Sequence, residues 1–250
     1  MNVYLDNAAT TPVAPEVVEA MIPVLFHTFG NPSSTHAFGR QAKALLENSR
    51  RSIAQALHCA PSEIIFTSGG TEADNMALHA AVTQLGVKRI ITSAIEHHAV
   101  GHTADAIKDS NGIDVVHLSL DSKGNVDLQE LETYLQDGTP TLVSLMHANN
   151  EIATLLPIAE VAQLCRLYGA YFHSDTVQTM GHYHFDLASL DIDFITCAAH
   201  KFHGPKGIGF LYVNKKTRVN PLIHGGSQER GLRGGTENIA GVVGLAKAME

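Results

Sequence analysis

The stretch EIIFTSGGTEADNMALHAAVTQLGVKRIITS, from Glu63 to Ser93, decides the fold class. An apolar run, EIIFT (63–67), is followed by a helical pattern over 71–85 and by a second apolar run, RIITS (89–93). This order predicts two parallel strands joined by a crossover helix, because a tight turn cannot join parallel neighbours. The stretch therefore indicates an α/β protein.

The same alternation of apolar runs and helical patterns continues along the chain. A helix is predicted between Pro157 and Gly169, because proline suits the first helical turn and glycine the position after the last. No internal repeat, linker or low-complexity tract marks off a second complete domain. The sequence therefore predicts an α/β fold, a mostly parallel sheet flanked by helices. Five further strand candidates lie at 114–118, 141–146, 170–175, 194–198 and 207–213.

The composition argues against several classes of protein. The chain has 250 residues, of which 44% are hydrophobic and 17% charged, as is typical of a globular domain. A net charge of −8 without a basic stripe argues against nucleic-acid binding. There is no leader-like segment and no apolar run near the roughly 18 residues of a membrane span, so a cytoplasmic location is expected. Cys59, Cys165 and Cys197 show no Cys-x-x-Cys spacing and are interpreted as small buried apolar residues.

Polar residues follow the predicted strands at the edge where parallel sheets bind ligands. After the strand at 63–67, a Gly-Gly turn precedes Thr71, which opens the next helix with free N–H groups. Such a turn can hold a small anion, although plain turn chemistry explains it equally well. It lacks the spacing of a Walker loop or of a dinucleotide-binding turn, which favours a smaller phosphate compound over a nucleotide.

Two further strand ends carry groups of opposite charge. Asp175 ends one strand and can balance a buried cation, or can simply be solvated. Lys201 follows the strand at 194–198, where partial burial can make an amine nucleophilic, whereas Lys206 lies in the next turn and is expected to face solvent. With an imidazole from the stretch Glu96-His97-His98, these groups match the needs of pyridoxal phosphate: a phosphate site, a partner for the ring nitrogen and an amine for the aldehyde.

In their order along the chain, seven motifs resemble those of the class V aminotransferase-like pyridoxal phosphate enzymes. The closest similarity is to the cysteine desulfurases of the NifS and IscS type. The resemblance covers all 250 residues and implies the large domain of a fold-type I enzyme over 16–250, after an N-terminal segment 1–15. The family's small C-terminal domain is expected to be missing from this chain. The motifs are YLDNAATTP, FTSGGTEADN, EHHAV, HANNEI, HSDTVQ, AHKFHGPKG and HGGSQERGLRGGTEN.

The resemblance implies roles around the cofactor ring for five residues. Lys201 matches the lysine that binds the cofactor covalently, and His97 matches the histidine that stacks on the ring and transfers protons. Asp175 matches the partner of the ring nitrogen. Gln178 and Asn150 match groups near the ring oxygen, with Asn150 also near the substrate carboxylate.

The resemblance also implies a phosphate site and a homodimer. Gly70 and Thr71 match the phosphate turn, and His200 matches a further phosphate contact. Thr236 matches a residue that reaches the phosphate held by the neighbouring subunit. Where the family usually has serine, this chain has Ala198, so one hydroxyl donor to the phosphate is missing.

The activity implied by the resemblance converts L-cysteine to L-alanine and leaves a persulfide on an enzyme cysteine, for iron-sulfur cluster assembly on a scaffold protein. In the family, that cysteine and the arginine that binds the substrate carboxylate lie beyond the position of residue 250. We therefore expect this chain to bind pyridoxal phosphate without completing sulfur transfer.

Two alternatives remain at this level. The same fold can carry a selenocysteine lyase, kynureninase-like or aminotransferase reaction, or the chain can be a non-catalytic scaffold that binds a partner protein. A zinc site is not predicted, because the histidine pairs on loops have no carboxylate or cysteine at a supporting spacing. Those histidines are His182, His184, His200 and His203.

Overall fold

The computed structural model describes all 250 residues as a single seven-stranded sheet with seven α-helices and three short 3-10 turns. The strands are β1 (Ile64–Thr67), β2 (Arg89–Ser93), β3 (Asp114–Leu118), β4 (Thr141–Ser144), β5 (Tyr171–Asp175), β6 (Phe194–Ala198) and β7 (Gly209–Val213). The helices are α1 (Pro15–His27), α2 (Ala37–Ala56), α3 (Gly70–Thr83), α4 (His98–Asn111), α5 (Leu128–Leu135), α6 (Ile158–Tyr168) and α7 (Ile239–Met249).

All seven predicted strands are present, and the prediction of a mostly parallel sheet is confirmed. The strand order is β1-β7-β6-β5-β4-β2-β3, and six strands run in one direction. Only β7 runs the other way, antiparallel to both β1 and β6. The connection from β6 to β7 contains a single 3-10 turn and no crossover helix, so the chain returns beside β6 in the opposite direction.

Helices cover both faces of the sheet, which explains why its inner strands read as continuous apolar runs. Alternate residues of β1 enter different cores: Ile64 and Phe66 belong to a cluster of 31 buried residues, and Ile65 belongs to one of 16. The larger cluster includes residues of α2, α5, α6 and α7, and the smaller one includes residues of α3 and α4. The carboxyl ends of the six parallel strands all lie at one end of the sheet.

The helix boundaries follow local signals. As predicted, α6 lies between Pro157 and Gly169, and Gly169 ends it in the left-handed conformation with φ of 69°. The final helix, α7, packs against α1 and α2. None of the helices combines the length and the apolar character that crossing a bilayer requires.

The N-terminal segment lies across the turn that carries Lys201. The backbone N–H of Thr11 donates to the carbonyl of His200 at 2.9 Å, and that of Ala14 donates to the carbonyl of His203 at 3.0 Å. The Thr11 hydroxyl accepts from the N–H of His203 at 2.7 Å. The division into segments 1–15 and 16–250 stays a prediction, and these bonds fasten the first segment to the second.

Candidate active site

A cavity of about 560 Å³ lies at the carboxyl edge of the sheet, between the N-terminal segment and the first turns of α3 and α4. Eight of the nine predicted site residues line it, although they come from five separate parts of the chain. Thr236, the ninth, is exposed and does not line the cavity. The eight are Gly70, Thr71, His97, Asn150, Asp175, Gln178, His200 and Lys201.

The Gly-Gly turn between β1 and α3 has a backbone that only glycine adopts readily. Gly69 has φ of 154°, and a Cβ on Gly70 would lie 2.8 Å from a methyl carbon of Val177. The first N–H groups of α3 thus open on the cavity beside Thr71. Glu72, in the same turn, is paired with Arg233 at 2.8 Å, so its charge opposes a bound anion less.

Lys201 extends its amine into the cavity from the 3-10 turn that follows β6. Its Nζ donates to the carbonyl of Ala8 at 2.5 Å and to that of Ala9 at 3.0 Å. Partial burial lowers the pKa of this amine, although the negative charges of Asp175 and Asp6 oppose the shift. Lys206 is exposed, as predicted, and does not line the cavity.

Asp175 ends β5 with only 5% of its surface exposed. Its Oδ1 accepts the N–H of Val177 at 2.8 Å. Burial, and next the charge of Asp74, raise the pKa of this carboxyl to about 7. A cation in the cavity, such as a protonated pyridine nitrogen, would stabilise the ionised form of this carboxyl.

Asp74, which the sequence analysis did not identify, lies beside Asp175. It projects from α3, is 1% exposed, and its Oδ1 accepts no hydrogen bond. One ligand atom each of Asp74, Asp175 and His97 lie within 4.8 Å of one another. The signal that could have found Asp74 is an acid three and four positions before the apolar residues Ala77 and Leu78, which places it on the buried face of the helix.

His97 caps α4 and presents its ring to the cavity. Its Nδ1 accepts the N–H of Ala99 at 3.1 Å, so in the neutral ring the proton is on Nε2. Gln178 lies nearby and donates from Nε2 to the carbonyl of Ala8 at 2.9 Å. Asn150 is exposed and lines the cavity.

His200 and Ala198 flank the lysine. The Nδ1 of His200 lies 3.1 Å from the hydroxyl of Thr10, which fixes the ring against the N-terminal segment. Ala198 is buried and lines the cavity near Gly70, so a hydroxyl at this position would enter the cavity.

The residues present fit pyridoxal phosphate. The buried carboxylates of Asp74 and Asp175 have no lysine or arginine paired with them, the start of α3 offers N–H donors, and the amine of Lys201 shares the same cavity. A pyridinium, a phosphate and an aldehyde are the complements of these three features. The fold and the cavity together define the class of this protein, a pyridoxal phosphate-binding α/β domain.

Comparison with known proteins narrows the class to a family. Residues 3–250 match the model of the aminotransferase class-V family, and the chain belongs to that family. It is 49% identical to the cysteine desulfurase IscS of Dictyoglomus turgidum and 48% identical to that of Methanosarcina thermophila. Each match covers 99% of this chain, but only 63% and 61% of the respective relatives.

Solved structures agree with the fold. A NifS-like protein superposes with a TM-score of 0.95 at 43% identity, covering 100% of this chain and 69% of that one. SspA in complex with cysteine superposes with a TM-score of 0.93 at 38% identity, covering 99% and 72%. The family predicted from the motifs is confirmed, and its members depend on pyridoxal phosphate.

Proposed function

We propose that this chain is the cofactor-binding part of a cysteine desulfurase that takes sulfur from L-cysteine, leaves L-alanine, and supplies sulfur for iron-sulfur clusters. The observation that carries the proposal is the meeting of Lys201, Asp175 and His97 in one cavity. Identity of 49% to a cysteine desulfurase supports the choice of substrate.

When bound, pyridoxal phosphate supplies an aldehyde for amines and a ring that withdraws electrons from the substrate's α-carbon. Asp175 would hold the protonated ring nitrogen, and the start of α3 with Thr71 would hold the phosphate. The Nε2 of His97 faces the cavity with a proton to donate in the neutral ring. The lowered pKa of Lys201 leaves more of the amine unprotonated and free to bind or to accept a proton.

The three cysteines of this chain do not suit the sulfur-accepting step. Cys165 and Cys197 are buried, and burial raises the pKa of both thiols. Burial also raises the pKa of Cys59 to about 12. Since the thiolate is the nucleophile, we propose that the chain by itself does not complete turnover.

A homodimer is part of the proposal. The exposed position of Thr236, outside its own cavity, is compatible with a contact to the phosphate site of a second copy. A scaffold protein for iron-sulfur clusters is the proposed sulfur acceptor of the whole enzyme.

The assignment of Lys201 is tested by adding pyridoxal phosphate to the purified chain, reducing with borohydride and mapping the labelled peptide. We expect the label on Lys201 and none in Lys201→Ala, because this amine faces the cavity. Lys206→Ala is the matched control and should keep both the label and the yellow colour. A label on Lys206, or equal labelling of both variants, would contradict the proposal.

The substrate is tested by adding L-cysteine to the loaded chain. A change in the absorbance spectrum shows binding, and no release of alanine is expected because the chain offers no suitable cysteine to accept the sulfur. We expect the spectral change without a persulfide on Cys59, Cys165 or Cys197. A persulfide on any of these three would contradict the proposed need for another cysteine.

A further inference from the structure

Two buried carboxyl groups share the floor of the cavity, but only one is needed to hold a ring nitrogen. Asp74 is 1% exposed and Asp175 is 5% exposed, and their nearest oxygens lie within 4.8 Å of each other. Two like charges at this separation and this depth repel strongly, since the low dielectric hardly screens them. One proton held by the pair removes the repulsion.

No permanent cation compensates Asp74. His173 of β5 has its Nε2 3.4 Å from Asp74 Oδ1, but its two ring nitrogens also lie 2.8 Å and 3.1 Å from the hydroxyls of Ser144 and Thr196. Burial lowers the pKa of His173 to about 4, so this ring is neutral at neutral pH. From the start of α4, His97 and Glu96 face the pair, and Glu96 adds negative rather than positive charge when ionised.

The hydrogen bonds of the two carboxyl groups differ, and the difference decides which one keeps the proton. Asp175 Oδ1 accepts a backbone N–H at 2.8 Å, and Asp175 also faces the amine of Lys201 across the cavity. Both interactions favour its ionised form. The ionised form of Asp74 is favoured by the side chain of Thr196, whose hydroxyl also contacts His173 Nε2, and Asp74 Oδ1 accepts no hydrogen bond, so this form is stabilised less.

We propose that Asp74 is a positioning residue that stays a neutral carboxylic acid at neutral pH, so that the single negative charge of the pair resides on Asp175, facing the ring nitrogen. The purpose of this role rests on the proposed function. The arrangement of the two carboxyl groups does not, because it is already present in the cofactor-free protein.

The consequence concerns the ring nitrogen. A single carboxylate beside the pyridinium gives a neutral pair in a low-dielectric site, whereas two carboxylates would leave a net negative charge buried at the floor of the cavity. Helix α3 would thus have two roles. Its first turn would hold the phosphate, and Asp74, one turn further along, would set the charge below the ring.

The test is infrared spectroscopy of the cofactor-free protein, titrated from pH 5 to pH 9 so that it includes the range in which the pair holds a single proton. The carbonyl stretch of a protonated acid is separate from that of a carboxylate, so spectra of wild type minus variant show which group carries the proton. In that range we expect Asp74→Asn to remove an acid band and Asp175→Asn to remove a carboxylate band. The reverse assignment, or loss of a carboxylate band in both variants, would overturn the proposal.

Affinity for pyridoxal phosphate gives a second readout that a merely structural role would not produce. Asparagine mimics a neutral acid, so Asp74→Asn should bind the cofactor within about threefold of wild type, whereas Asp175→Asn should lose about tenfold or more. Equal losses in both variants would show that Asp74 acts as a charge, against the proposal.

The two proposals fail in different ways. If neither wild type nor variants bind pyridoxal phosphate while the infrared assignment holds, the proposed function fails and the proton on Asp74 stands. If Asp74→Asn does not fold, a pH titration of the infrared spectrum of the double variant Asp175→Asn, Glu96→Gln replaces it, so that Glu96 contributes no acid band. An acid band that disappears as the pH rises through neutrality then supports the proposal, and its absence at pH 6 overturns it.

Discussion

The Lys201 amine is held in place in the cofactor-free protein by the carbonyls of Ala8 and Ala9. These acceptors are neutral, so they orient the amine without raising its pKa as a carboxylate partner would. Lys201 and the two residues that hold its amine are more than 190 positions apart in the sequence. A short turn in the N-terminal segment therefore fixes the position of the amine in the cavity.

Ala198 gives a prediction at the same scale. Replacement by serine would place a hydroxyl in the cavity beside Gly70, where it can donate to a bound phosphate. A hydrogen bond to a charged group contributes about 1.5–3 kcal/mol, so we expect Ala198→Ser to tighten pyridoxal phosphate binding by roughly tenfold or more. Fluorescence or absorbance titration of the cofactor-free protein measures this change.

Ala106→Ser, on the exposed face of α4, is the control for that titration and should leave the affinity unchanged. An unchanged affinity in Ala198→Ser would show that the phosphate does not lie between Gly70 and Ala198.

At the scale of elements, a buried ion pair joins α2 to the turn that follows β7 in sequence. Arg50, 1% exposed, donates to both carboxylate oxygens of Glu229 at 2.8 Å and to the carbonyl of Ile64 at 2.8 Å. Glu229 also accepts the N–H of Phe66 at 2.9 Å. These bonds hold Glu229 and Arg230 in left-handed conformations, with φ of 46° and 60°, which are unfavourable for such residues.

Breaking this pair should destabilise the protein strongly. Arg50→Met leaves the Glu229 charge buried without a partner, so we expect a loss of about 3–5 kcal/mol in the free energy of unfolding. Urea denaturation of the cofactor-free chain measures it. Arg51→Met, one position along and exposed, is the matched control and should change stability by less than about 0.5 kcal/mol. Similar losses in both variants would contradict a structural role for the pair.

The elements themselves were accessible from the sequence, but the contacts between them were not. Buried strands read as unbroken apolar runs, and the ends of α6 carry proline and glycine, so local patterns sufficed. The direction of β7 was not predicted, because apolar runs do not encode strand direction. Arg50 and Glu229 are 179 residues apart, and no periodicity reports such a pairing.

The same limit applies to the site. Eight of the predicted residues, at strand ends and in ordered motifs, line one cavity, because parallel strands bring their carboxyl ends together. Asp74 was missed because a helical pattern does not show how much of a helix is buried, and α3 is buried over most of its circumference. In a helix with one polar face, an acid looks solvated; its burial becomes visible only in three dimensions.

At the scale of the whole molecule, buried acids make stability depend on pH. Burial raises the pKa of Glu96 to about 8 and that of Asp74 to about 7, above their ordinary values of 4.5 and 3.8. As the pH rises from about 4 towards 8, the unfolded chain ionises these groups while the folded protein keeps their protons. The cofactor-free protein therefore loses stability over this window.

Glu96→Gln tests this effect. Glu96 accepts from the hydroxyl of Ser93 and from the N–H of Met146, both at 2.8 Å. In glutamine the amide oxygen can accept the N–H of Met146 while the amide nitrogen donates to the Ser93 hydroxyl. Between pH 5 and pH 8.5 we expect the melting temperature to fall less in the variant than in wild type. The difference should be about 2–4 °C for each kcal/mol of folding free energy that wild type loses through Glu96. Scanning fluorimetry at a series of pH values measures it.

Glu19→Gln, on the exposed side of α1, serves as the control for that series and should keep the wild-type pH dependence apart from small surface effects. Parallel pH curves for Glu96→Gln and wild type would show that Glu96 is ionised in the folded protein.

The single reversed strand has a consequence for how the chain is made. β1 is the edge strand beside β7 and has no other partner, and about 140 residues separate them along the chain. Protein synthesis adds roughly 5–20 residues per second, so on the order of ten seconds or longer separates the translation of β1 from that of β7, with which it forms its hydrogen bonds. The Gly-Gly turn that follows β1 is thus among the first parts of the cavity to be translated and among the last to be fixed in the sheet.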